Sequence, residues 1–120
     1  MNRKPLEWIA SSKKDLKKFP DDVQRVMGYG LLQAQEGEKN KNAKILKGFG
    51  SADVLEIIDE DLSGTYRAVY TVRYKEIVFV LHVFQKKSKQ GIKTPQEDIE
   101  LVKSRLKQAQ ELYEKEYKKR

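Results

Sequence analysis

The sequence predicts an α+β protein in which a small antiparallel sheet follows an N-terminal helical hairpin and precedes a C-terminal helix, the helices packed on one face. Three observations predict it. Residues 54–59, 65–74 and 77–84 are rich in β-branched and aromatic residues and are separated by short turns. Apolar residues recur at helical spacing both before and after that stretch. The chain has 120 residues, 38% hydrophobic and 36% charged, which is enough for one core under a densely charged surface but not for two. Residues 1–120 are therefore read as a single domain, with 113–120 as a polar, fraying tail.

The elements follow in order. Residues 6–9 read as a short strand, and Ser11, Ser12 and Asp15 offer a capping start to a helix that Pro20 ends. A second helix begins at Asp21 or Asp22 and carries Val23, Val26, Met27, Leu31 and Ala34 on roughly one face, with Gly37 as its stop and Gly28 and Gly30 as weak points. Residues 38–44 are polar and lysine-rich, an exposed loop, and Gly48 and Gly50 flank Phe49 as a hinge into the sheet. Asp61-Leu62-Ser63-Gly64 supplies turn chemistry between the first two sheet strands, and Lys75-Glu76 a second turn. After a basic stretch over 85–93, Thr94-Pro95-Gln96-Glu97 reads as an N-cap, a first-turn proline and a glutamate three residues on. Ile99, Val102, Leu106, Ala109 and Tyr113 then keep helical spacing.

Charge narrows the function. Lys and Arg total 25 against 18 Asp and Glu, a net +7, which favours a polyanionic partner. With no cysteine, disulfides, thiolate zinc sites and thiol nucleophiles are excluded. The N-terminus lacks the apolar run of a secretion signal, and no stretch is long enough to cross a bilayer, so the expectation is a protein of the cytoplasm. No phosphate-cradling glycine motif, metal-ligand cluster or Ser-His-Asp arrangement stands out.

Alternation sorts the two sheet faces once the turns are fixed. A four-residue turn at 61–64 sets Glu60 opposite Thr65, and a tight turn at Lys75-Glu76 sets Arg73 opposite Val78. One face then holds Leu55, Ile57, Tyr66, Ala68, Tyr70, Val72, Tyr74, Ile77, Phe79, Leu81 and Val83, so the helices are expected there. The other carries Glu56, Ile58, Arg67, Val69, Thr71, Arg73, Val78, Val80, His82, Phe84 and Lys86, a mixed face suited to a phosphate-bearing ligand. In this register Glu56, Val69 and His82 form one row, and Ile58, Arg67 and Phe84 the next.

Particular stretches carry a family resemblance: Leu46-Lys47-Gly48-Phe49, Val54-Leu55-Glu56, Tyr66-Arg67-Ala68-Val69-Tyr70, Leu81-His82-Val83-Phe84-Gln85-Lys86-Lys87-Ser88, and Thr94-Pro95 opening the last helix. In this order they resemble the HigB-like, phage-derived branch of the RelE/ParE toxins, over residues 6–106. The resemblance implies a toxin of a type II toxin–antitoxin pair that cleaves messenger RNA on the ribosome, with no metal and no small-molecule cofactor. It also implies neutralisation by an antitoxin encoded beside it, often a helix-turn-helix protein. The family often has a basic residue after the Leu-Glu pair, where this chain has Ile57 and Ile58.

Metal-free RNA cleavage needs a base for the 2′-hydroxyl, positive charge for the phosphoryl group and an acid for the departing oxygen. Arg67, His82 and Lys86 are the candidate catalytic residues: a strand-borne guanidinium for two phosphate oxygens, the one side chain that titrates near neutrality, and an ammonium on the same face. Lys47, Arg73, Lys87 and Lys89 are candidate phosphate contacts. Glu56 reads as a base, as a group orienting His82, or as an ordinary surface carboxylate. Tyr113 and Tyr117 read as core and exposed residues, or as a base-stacking pair if the last helix folds back onto the site. A non-enzymatic toxin of the same fold, acting on gyrase, or a catalytically inactive RNA-binding relative stays open, because one fold serves several activities. A general DNA- or RNA-binding module lacks a recognisable motif.

Overall fold

The computed structural model describes residues 3–86 and 93–118. In chain order they form β1 (Leu6–Trp8), α1 (Ser12–Leu16), α2 (Asp21–Gln35), β2 (Ala43–Ile45), β3 (Val54–Asp61), β4 (Gly64–Tyr74), β5 (Ile77–Lys86) and α3 (Gln96–Glu116). The five strands make one sheet in the order β1-β5-β4-β3-β2. Only β1 runs parallel to its neighbour, and the remaining pairings are antiparallel. The expected α+β class and element order are present. β2 lies at the sheet edge, its first two residues inside the stretch expected to be loop, with Ala43 opposite Ile57 and Ile45 opposite Leu55.

The turn at 61–64 pairs Asp61 with Gly64 and Glu60 with Thr65, as its sequence dictates. The rows Glu56-Val69-His82 and Ile58-Arg67-Phe84 also form. Beyond them the β4–β5 pairing is irregular: Val69 opposes His82 but Tyr70 opposes Val80, leaving Leu81 as an extra residue. A bulge of this kind turns two consecutive side chains to one side. A second irregularity lies between the Thr71-Phe79 and Tyr74-Ile77 pairs.

These irregularities correct the expected sorting of faces. Leu55, Ile57, Tyr66, Ala68, Tyr70 and Val83 do pack with Phe19, Val23, Met27, Leu31 and Ala34, together with Val78 and Val80. Ile77, Phe79 and Leu81, expected on that face, instead join Val54 and Val69 on the other, where they meet Val102, Leu106 and Ala109 of α3. With that much apolar surface on the second face, it too must be covered. So α3 packs opposite α1 and α2, not beside them, and the sheet is the middle of three layers.

Gly30 sits where α2 crosses the sheet. A Cβ there would lie 2.7 Å from Ile57 Cδ1, so the close approach of helix and strand depends on its absence. Gly37 ends α2 with φ +83°, a left-handed conformation that glycine adopts without strain. At α3, the capping position belongs to Pro95, and Thr94 turns its hydroxyl inward, so the expected Thr94 side-chain cap does not form.

Candidate nucleic-acid interface

The side chains expected to do chemistry lie on the α3 face of the sheet, but two of them are sealed. Arg67 is 1% exposed and Glu56 3% exposed. Arg67 Nη1 donates to Glu56 Oε1 at 2.9 Å and to Thr94 Oγ1 at 3.3 Å. The Thr94 hydroxyl lies 3.1 Å from each Glu56 oxygen. The expected open phosphate ligand is therefore a buried ion pair beneath the start of α3. Burial raises the Glu56 carboxyl above its ordinary range, and nearby Asp98 adds to this, while Arg67 and Thr94 pull it down. Thr94 escaped the sequence reading because its place there, before a proline at a helix start, matched a cap.

His82, 6% exposed, is likewise engaged. Its Nε2 lies 2.8 Å from Asp98 Oδ1 in the first turn of α3, and its Nδ1 lies 3.3 Å from Arg105 Nη1. Its ring stacks on Phe84 at 4.6 Å. Burial lowers its pKa, the Asp98 hydrogen bond opposes that, and Arg105 lowers it further. Both ring nitrogens therefore have hydrogen-bonding partners within the protein. Arg105, missed in the sequence because it sits beside the apolar stripe of α3, also donates to the Leu81 carbonyl at 3.0 Å and to Ser11 Oγ at 3.3 Å.

Arg73 is directed elsewhere. Its Nε and Nη2 each lie 3.1 Å from a carboxylate oxygen of Asp53, the two-point geometry that suits guanidinium to carboxylate. It sits near the β4–β5 turn, beside Tyr74, away from Arg67. Tyr74 stacks on Tyr113 at 4.1 Å, and Tyr113 on Tyr117 at 5.5 Å, so these tyrosines tie the end of α3 to that turn. Lys86 lies on the Arg67 face as expected, and its ammonium donates to the Lys93 carbonyl at 3.1 Å. Lys87 and Lys89 lie outside the described residues.

What the fold does open is a groove of about 500 Å³ between the β2 edge and the beginning of α3. Lys44, Lys47, Lys93 and Lys103 line it with cations, and Ile45, Leu46, Ile58 and Ile99 give it an apolar lining. Glu56 and Thr94 reach its wall. Of the expected phosphate contacts among the described residues, Lys47 is the one that lines the groove. Ile58 brings its methyls to the groove, while Ile57 is buried under α2. A volume of this size is that of a small-ligand cleft, room for unpaired nucleotides and not for a duplex. Ammonium groups at a rim can hold phosphates, and an apolar lining can take a base or sugar. Among the described residues, no group of three or more His, Cys, Asp or Glu is placed to hold a metal ion, and no helix is long and apolar enough to cross a membrane.

Known proteins share this fold. The E. coli toxin RelE in its free state, with two arginines replaced by alanine, is similar with a TM-score of 0.55 at 21% identity, over 88% of this chain and 97% of that one. The toxin–antitoxin complex RelBE2 of Mycobacterium tuberculosis contains a chain similar with a TM-score of 0.50 at 19% identity, over 73% of this chain and 97% of that one. At these identities the likeness is one of fold, and the fold is that of the RelE-type toxins. No curated protein sequence matches the chain. The family model described as Phage derived protein Gp49-like (DUF891) matches residues 14–107, a span that includes every residue lining the groove. The chain therefore belongs to the phage-derived Gp49-like family.

Proposed function

We propose that this chain is the HigB-like toxin of a type II toxin–antitoxin pair, a metal-independent, ribosome-dependent endoribonuclease that takes messenger RNA into the groove between β2 and α3. The observation that carries this reading is the groove itself, a concave, apolar-lined cleft ringed by Lys44, Lys47, Lys93 and Lys103. Its fold is shared with toxin structures, one of them a complex with an antitoxin. The lysines supply the positive charge that a phosphoryl transition state requires. Glu56 reaches the groove wall, its carboxylate bonded by Arg67 and Thr94. Arg67 holds that carboxylate in place. The partners in this reading are the ribosome-bound messenger and a DNA-binding antitoxin, and the site of action is the cytoplasm.

The second reading, a toxin of the same fold that binds gyrase without cutting RNA, is favoured by one observation: Arg67 and His82 are both engaged in buried networks. Inducible expression in a bacterial host with primer extension on messenger separates the two. The nuclease reading predicts growth arrest with cuts at ribosome-occupied codons. These should disappear in Lys47→Ala/Lys93→Ala and persist in Lys14→Ala, which alters an exposed lysine of α1. Arrest with intact messenger and damaged DNA would establish the gyrase reading instead.

A further inference from the structure

One buried network is not used by the proposed chemistry, yet two of its members stand on α3, the helix that walls the groove. Asp98 and Arg105 stand on α3, and His82 on β5 lies between them in hydrogen-bonding terms. A guanidinium can only donate, so the contact from Arg105 Nη1 requires His82 Nδ1 to be a bare acceptor. The ring proton of a neutral imidazole must then sit on Nε2, where Asp98 Oδ1 accepts it at 2.8 Å. Arg105 is itself held, since it also bonds the Leu81 carbonyl and Ser11 Oγ, and Ser11 Oγ donates to Asp15 of α1 at 2.7 Å. The bulge at Leu81 lets one guanidinium reach both the Leu81 carbonyl and the next side chain.

The wall that this arrangement anchors is functional under the reading above. Asp98 lies in the first turn of α3, and Gln96, Ile99 and Lys103 from the same two turns line the groove. We infer that Arg105 is a positioning residue of the groove: by donating to His82 Nδ1 it fixes the imidazole with its proton on Nε2, and the resulting His82–Asp98 bond holds the first turn of α3 so that Lys103 faces the RNA. This inference rests on the groove being the RNA site. It assigns His82 to support of the binding surface and not to proton transfer with substrate.

The chain has a single histidine, so ¹⁵N NMR of the imidazole reads this site without overlap. The native protein near neutral pH should show a protonated Nε2 and a bare Nδ1. In Arg105→Met the proton should stay on Nε2, where Asp98 still accepts it, while the ¹⁵N shift of Nδ1 moves as that nitrogen loses its donor. The variant's affinity for an unstructured single-stranded RNA should fall about tenfold, the scale of one lost charge-assisted hydrogen bond. The salt dependence of binding should lose roughly 0.7 in log–log slope, the loss of one phosphate contact. Lys103→Ala should give the same slope change, with no further change when the two substitutions are combined. Arg105→Lys, which retains a donor, should restore both the Nδ1 shift and the slope.

Should Arg105→Met fail to fold, Asp98→Ala tests the same link. It should lose the Lys103 contribution while keeping the proton on Nε2, because Arg105 is still present. A native protein with its proton on Nδ1, or an Arg105→Met or Asp98→Ala protein with unchanged affinity and slope, overturns the inference. Native protein that binds no RNA refutes the groove reading on its own. In that case amide exchange over residues 96–103 decides the anchoring: faster exchange in Arg105→Met upholds it, and unchanged exchange rejects it.

Discussion

Arg67 shows how one contact changes the meaning of a residue. In an open site its guanidinium would grip phosphate, but here it neutralises Glu56 at 2.9 Å inside the protein. Removing one member of such a pair leaves a buried charge with no counterion, so Arg67→Met should cost about 3–5 kcal/mol of stability in a urea titration. Replacing both, as Glu56→Leu/Arg67→Met, should recover most of that loss, and a double variant as unstable as the single one would contradict the pairing. Loss of toxicity in Arg67→Ala would thus report unfolding, whereas the exposed Lys47 is a cleaner probe of function. The strand rows that bring Glu56, Arg67 and His82 together were legible in alternation and turn chemistry. Their sealing was not, because it depends on Thr94 and Arg105, which reach them across 38 and 23 residues of chain.

Elements add constraints that individual residues do not reveal. Two glycines interrupt α2, and helix propensity treats them alike. The fold separates them: nothing lies within 4 Å of a Cβ at Gly28, whereas one at Gly30 would collide with Ile57. Gly28→Ala should therefore stabilise by about 0.5–1 kcal/mol, and Gly30→Ala should destabilise by about 1–3 kcal/mol, partly relieved by Ile57→Val. Thermal unfolding of the three variants checks this, and equal effects at both glycines would refute the helix–strand contact. The strands themselves could be read from composition. The bulge at Leu81 could not, since Leu81-His82-Val83 looks like any alternating strand until the β4 partner is known. That single extra residue redirects half of β5 and creates the second apolar face on which α3 settles.

At the scale of the molecule, these layers give stability a pH dependence of known sign. An unfolded imidazole protonates near 6.5, whereas burial and Arg105 hold the folded His82 below that value despite Asp98. Its contribution is complete above the unfolded value and is lost as pH falls through the folded one. Glu56 acts in the opposite sense, because its raised pKa lets the folded state gain stability as protons bind. The difference between native protein and His82→Gln isolates the histidine: the native advantage should shrink as pH falls below about 6.5, and an advantage that grows in acid would contradict the neutral ring. The fold class was legible in the order of elements and the alternation. The groove was not, because Lys44, Ile58 and Lys103 belong to three elements that only folding brings together.

The most direct test of the groove is the salt dependence of single-stranded RNA binding by native protein, Lys47→Ala/Lys93→Ala and Lys14→Ala. Loss of two phosphate contacts should lower the log–log slope of the double variant by roughly 1.4 and leave Lys14→Ala at the native value. A double variant that keeps the native slope and affinity would place the RNA, if it binds at all, on some other surface.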